Sequence, residues 1–163
     1  MSRVSPNLTG AAGEHFVVYK LSSLGLVAAL PRAGATGVDV LVSNSDGSRT
    51  VAIQVKTTDN AVRTRGRGTA KVPFQLQFPL GYKCAKIDNP ELLFAFVDLR
   101  DSFDHSTQPD VYLVPAPFVN DYCQPWVESV ALVRLHIDIA AMQPFKNAWE
   151  IVLARLMPNE TDL

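Results

Sequence analysis

The chain has 163 residues, 47% of them hydrophobic and 19% charged, with a formal net charge of -1. That length suits one domain with a real core and is short for two; the composition argues against a disordered chain, and the charge against a protein that coats nucleic acid through bulk positive potential. No apolar run reaches the roughly 18 residues of a membrane span and residues 1–10 lack the features of a signal peptide, so a cytoplasmic protein with no membrane partner is expected.

In chain order, Thr9 to about Leu24 has helical spacing in Val17, Val18, Leu21 and Leu24, with Thr9 placed as N-cap and Gly25 as terminator. Leu26 to Leu30 reads as a short extended segment leading into a turn at Pro31 and Gly34. Two β-branched runs follow, Val38–Val42 and Thr50–Thr57, joined across Asp46-Gly47, a strong hairpin signal. Residues 59–71 are polar, basic and glycine-containing, and read as an exposed loop. Phe74, Leu76 and Phe78 then alternate with Gln75 and Gln77.

After a turn-rich stretch ending at Asn89-Pro90, Leu92–Leu99 has the length and apolarity of a buried strand. Another strand is expected over Asp110–Val114, with Pro115 and Pro117 starting a short helix toward Tyr122. A strand around Leu132–Ile139 and a helix from about Phe145 to Leu156 complete the chain. Together these predict an α/β domain over 1–163, with a mixed central sheet, an antiparallel meander at its centre and flanking helices.

The hairpin carries the chemistry. With Asp46-Gly47 as a two-residue turn, Ser45 faces Ser48, and counting back along both strands sets Asp39 opposite Gln54. Side chains alternate across a strand, so Asp39, Gln54 and Lys56 share one face. Val38, Val40, Val42, Val51, Ile53 and Val55 form an apolar strip on the other. Glu14 falls on the helical stripe of Val17, Val18 and Leu21, at the buried edge of the first helix. Two readings of it stay open: a carboxylate whose burial a divalent cation offsets, or a first-turn acid that rotates to solvent and favours the helix dipole.

Gly13-Glu14 in an N-terminal helix, then Gly37-Val38-Asp39, then Ile53-Gln54-Val55-Lys56-Thr57, resembles the PD-(D/E)XK nuclease superfamily, with its restriction endonuclease-like fold, Holliday-junction resolvases and type IV restriction enzymes. The resemblance covers about the first third of the chain. It implies a metal-dependent DNA endonuclease with Mg²⁺, or Mn²⁺ in its place. Glu14 and Asp39 would be ligands, Gln54 would offer its side-chain oxygen, and Ile53 or Val55 a backbone carbonyl. Lys56 would orient or deprotonate the attacking water and offset charge at the phosphate. Val38 stands where the superfamily often has proline, and Gln54 where an acid is usual. A catalytically inactive module that binds DNA or a protein partner is the alternative. A homodimer would suit a duplex with two strands to cut.

Arg63, Arg65, Arg67 and Lys71 form a stretch without an acidic residue, read either as a loop following a phosphate backbone or as a solvated loop. Cys84 and Cys123 match no metal or disulfide spacing and are read as packing residues. His15, His105 and His136 show no metal or triad spacing, and no nucleophile elbow accompanies Ser102, Asp104, His105 and Ser106. Trp126 and Trp149 are expected in the core or an interface.

Overall fold

The computed structural model describes residues 5–32, 37–81, 89–101, 107–123 and 134–157. Gly34, Cys84, residues 102–106, Trp126 and Leu132 lie outside them, so the expectations placed on those residues have no structural counterpart here.

Helix α1 spans Pro6–Ser23, beginning earlier than the sequence suggested. Ser5 is its N-cap, accepting the Leu8 N–H at 3.4 Å, and Pro6 occupies the first turn, where its missing donor costs nothing. Thr9 is therefore one turn inside the helix; its buried hydroxyl donates to Asp59 Oδ1 at 3.1 Å. Gly25, at φ 83°, leads the chain out after Leu24, a conformation glycine adopts without a Cβ penalty. Thr9, Gly13, Val17 and Leu21 form the buried stripe.

Strands β1 (Val27–Ala29), β2 (Val40–Ser43) and β3 (Thr50–Thr58) form an antiparallel meander. Strand β6 (Leu93–Asp98) then pairs parallel to β3, and β7 (Asp110–Pro115) antiparallel to β6, giving the order β1-β2-β3-β6-β7. All six residues of β6 are buried, as expected for an interior strand covered on both faces. The meander thus makes one side of the mixed sheet rather than its centre.

The basic stretch is only in part the expected exposed loop. Val62–Arg65 is strand β4, pairing antiparallel with β5 (Val72–Pro79), which also pairs with β8 (Arg134–Asp138) in a second, three-stranded sheet. Gly66 (φ 104°) and a 3₁₀ turn at Gly68–Ala70 reverse the chain between β4 and β5. The second sheet packs on the first through Phe78, whose ring lies 5.2 Å from Phe96 and 5.9 Å from Tyr112. On the opposite face, Val17 and Leu21 of α1 meet Val40, Val42, Val51, Ile53 and Val55. Val38 departs from that strip and packs with Ala52 on the side of the second sheet.

Helix α2 (Ala116–Cys123) follows β7, with Cys123 buried. After β8 come α3 (Ile139–Met142), a 3₁₀ turn (Gln143–Phe145) and α4 (Glu150–Leu156). The last helix starts later than the expected Phe145 because Asn147 takes φ 51° and serves β7 instead. Its Oδ1 accepts the Val111 N–H at 3.1 Å, and its own N–H donates to the Val111 carbonyl at 2.6 Å. Trp149 is a core residue. No helix of the described residues is long and apolar enough to cross a membrane.

Candidate active site

The register of the β2–β3 hairpin is the one that Asp39 and Gln54 require: Val40 faces Ile53, Leu41 faces Ala52, and Ser43 faces Thr50. The turn differs from the expected two-residue form. Asn44 N–H donates to the Arg49 carbonyl at 3.3 Å and Gly47 N–H to the Asn44 carbonyl at 3.1 Å, so Ser45–Ser48 is the loop and the pairing is kept.

At Asp39 the chain leaves the regular ladder. Its N–H donates to the Ile53 carbonyl at 2.9 Å, while its carboxylate Oδ2 accepts the Val55 N–H at 2.8 Å and the Gln54 Nε2–H. A side chain has replaced the β2 backbone as acceptor for β3. Past this point β3 has no strand beside it on that edge among the described residues, and the space opens into a cleft of about 360 Å³. Gly10, Glu14, Asp39, Gln54, Val55, Lys56, Thr57, Pro79, Leu80 and Gly81 line it.

The structure therefore brings Glu14, Asp39, Gln54, Val55 and Lys56 into one cleft, although Glu14 comes from a helix and the others from the hairpin. Helix α1 approaches β3 closely enough for this only because residue 13 is glycine: a Cβ there would lie 2.0 Å from Thr57 Oγ1. Gln54 is buried, at 5% exposure, and its alignment on Asp39 is fixed by their hydrogen bond.

Electrostatics at the cleft follow from this crowding. The Glu14 carboxyl is pushed above its ordinary value, first by burial and then by the Asp39 carboxylate, with His15 and Lys56 opposing. Two carboxylates and one ammonium thus share a partly dehydrated space. Lys56 makes no ion pair among the described residues.

Thr57 also lines the cleft, a residue to which the sequence motif assigns no role. Its Oγ1 is buried without a hydrogen-bond partner in the structure, packed against Gly13 of α1. The oxygen chemistry of the lining suits a hard divalent cation: two carboxylates and amide oxygens are a typical Mg²⁺ set, completed by water and substrate oxygens. Among the described residues no group of three or more His, Cys, Asp or Glu side chains is placed to hold a metal ion, so a cation here would depend on the amide oxygens and water beside the two carboxylates.

The four cationic residues lie away from the cleft. Arg63 and Arg65 are on β4, and Arg67 and Lys71 flank the 3₁₀ turn. Arg63 Nε donates to Gln77 Oε1 at 2.7 Å, and Arg65 lies 5.8 Å from the Phe74 ring centroid. Arg67 and Lys71 are exposed. Strand β5 joins this ribbon to the cleft, reaching it at Pro79.

A larger cavity, of about 560 Å³, lies elsewhere, between Phe16, Lys20, Arg100, Asp110, Asn147 and Trp149. Its carboxylate is already paired, Asp110 with Lys146 at 2.9 Å, and no set of acidic donors converges there. Nearby Asp98, at 2% exposure, accepts the Arg100 N–H at 2.9 Å and holds the left-handed turn at Arg100 and Asp101.

The fold is similar to that of a solved endonuclease structure. The chain superposes on the structure of a bacterial homing endonuclease, I-Ssp6803I, with TM-score 0.55 and 11% sequence identity, over 94% of this chain and 95% of that one. No family model matches the sequence, and no curated protein does. At that identity the likeness concerns the path of the backbone alone.

Proposed function

We propose that this protein is a metal-dependent DNA endonuclease of the PD-(D/E)XK type, with its site in the cleft between α1 and β3. One observation carries the reading: Glu14, Asp39, Gln54 and Lys56, drawn from three separate sequence motifs, line a single cleft in a fold similar to that of an endonuclease.

Glu14, Asp39, the side-chain oxygen of Gln54 and the carbonyl of Val55 would hold Mg²⁺, for which Mn²⁺ would substitute. Such an ion, when bound, polarises a phosphoryl oxygen and makes water acidic enough to attack at neutral pH. The remaining work belongs to the chain. Asp39 is aimed by two donors, the Val55 N–H and Gln54 Nε2, which leave its other oxygen for a ligand. Gln54, with its nitrogen committed to Asp39, keeps Oε1 as donor atom. Lys56 sets an ammonium beside the scissile phosphate, where it orients the attacking water and offsets charge that grows toward the transition state. Being a strand residue next to Gln54 and Val55, it is held on a rigid element.

The second reading is a nuclease-like module that binds DNA or a protein partner without cutting. It is favoured by Gln54, which removes one negative charge and leaves two carboxylates in the cleft. Relaxation of supercoiled plasmid in Mg²⁺, set against EDTA, separates the two. Nicking that requires the metal supports the enzyme; DNA binding without nicking supports the module.

A further inference from the structure

The solvent face of the second sheet carries amide, imidazole and charged side chains in a fixed register. Register fixes which side chains share it: Arg63 faces Gln75, Gln75 faces Asp138, and Gln77 faces His136. The opposite face carries the core residues Leu76, Phe78, Leu135 and Ile137. Facing residues project to the same side and alternate residues to the other, so Arg63, Gln75, Gln77, His136 and Asp138 project together away from the core, Asp138 being the one acid among them.

Three of them are already joined across the strands. Arg63 Nε donates to Gln77 Oε1 at 2.7 Å, and Gln77 Nε2 lies 2.9 Å from His136 Nε2. With its oxygen taken by arginine, the glutamine amide donates to the ring and His136 accepts through Nε2. These side chains are ordered before any ligand arrives, which lowers the entropy cost of presenting them.

The sheet also has a projecting end. Strand β8 stops opposite Gln75, whereas β4 and β5 continue together through Arg65 and Val72. Beyond β8 they form a two-stranded ribbon tipped by Arg65, Arg67 and Lys71. Val72 stands exposed on it, at 50%. A B-DNA major groove, about 12 Å wide, admits a pair of strands such as β4 and β5, with β8 at its rim, and Arg and Gln are the side chains that pair bidentately with guanine and adenine edges there. Gln75 and Gln77, two residues apart, are separated by about 6.7 Å, close to two base-pair steps of about 3.4 Å.

We infer that the outer face of this second sheet reads base edges in the major groove of duplex DNA, with Gln75 and Gln77 as the specificity-determining side chains and the ribbon tip on the flanking phosphates. The charge of the ribbon complements a polyanion, and β5 runs continuously from this face to the cleft at Pro79, so one duplex would meet both. The inference rests on the nuclease reading for its choice of ligand. An A-form RNA duplex fits poorly, because side chains cannot read its deep, narrow major groove.

The test is a binding selection from a randomised duplex DNA library in EDTA, using the whole protein, with Mg²⁺-dependent plasmid cleavage assayed separately. Wild type is expected to enrich a sequence, and Gln75→Ala and Gln77→Ala each to lose roughly 5- to 150-fold discrimination at one or two adjacent base pairs. Both side chains lie on the sheet surface, and thermal melting checks that each variant folds. An enriched sequence unchanged in both folded variants overturns the base-reading role while leaving the nuclease reading standing. Enrichment that shifts as expected without any plasmid cleavage upholds the reading face and overturns the enzyme. Absence of enrichment by wild type, or equal enrichment from duplex RNA, overturns the inference.

Discussion

Asp39 Oδ2 accepts the backbone N–H of Val55 at 2.8 Å, so the carboxylate occupies the place of a missing strand partner at the point where β2 begins. Structure and candidate chemistry therefore compete for one side chain. Asp39→Ala leaves the Val55 N–H and Gln54 Nε2 without their acceptor, at about 1–3 kcal/mol for each group left unsatisfied, toward the low end because the cleft admits water. Asp39→Asn keeps an acceptor and should cost less in urea denaturation, yet remove cleavage as fully as alanine.

Gly13 is expected to tolerate no side chain. In Gly13→Ala the new Cβ meets Thr57 Oγ1 at 2.0 Å and Thr57 Cβ at 2.9 Å, so α1 must move away from β3 and carry Glu14 from the cleft. Overpacking of this kind costs about 1–3 kcal/mol. Adding Thr57→Ala removes Oγ1 and Cγ2 but not Cβ, and should recover part of the lost melting temperature. Additive losses in the double variant would place the strain elsewhere.

Glu14 gives a pH signature. Its carboxyl is held above the ordinary range by burial first and Asp39 second, so its ionisation penalises the folded state. That penalty is complete above the folded-state pKa and fades as pH falls through it toward the unfolded value. Glu14→Gln should therefore raise the melting temperature at neutral pH, and its advantage over wild type should shrink on acidification. Mg²⁺ should raise the melting temperature of wild type more than that of the variant, since ligand binding to the native state stabilises it. Equal shifts would remove Glu14 from the proposed ligand set.

Replacing Arg65, Arg67 and Lys71 together with Ala should weaken DNA binding and lower the slope of log K against log salt by up to about 0.9 for each phosphate that is no longer neutralised. An unchanged slope would assign these residues to solubility.

The hairpin was legible because turn residues and alternation agree: Asp46-Gly47 placed the reversal, and the resulting register survived a longer turn than expected. The apolar strip was legible for the same reason, except at Val38, which precedes β2 and follows the irregular backbone at Asp39 to the other face. Arg63 and Arg65 read as a loop in the sequence because glycine and charge outweigh a strand whose pairing partner, β5, is supplied from the other side of the turn. Thr9 is not the N-cap because Ser5-Pro6 is the stronger helix start, and the partner of Thr9, Asp59, lies just past β3. The close approach of Gly13 to Thr57 is tertiary and leaves no local mark beyond the glycine itself.

Lys56 supports the most direct test of the central claim. It lines the cleft, near enough to Glu14 to favour that carboxylate, and makes no ion pair among the described residues. A group acting mainly in the transition state can be removed without loss of folding. Plasmid nicking should therefore be measured for wild type and Lys56→Met in Mg²⁺ and in EDTA, beside their melting temperatures. The account predicts metal-dependent nicking by wild type and none by Lys56→Met, with the two melting alike; full activity in the folded Lys56→Met protein, or wild-type nicking that persists in EDTA, would contradict it.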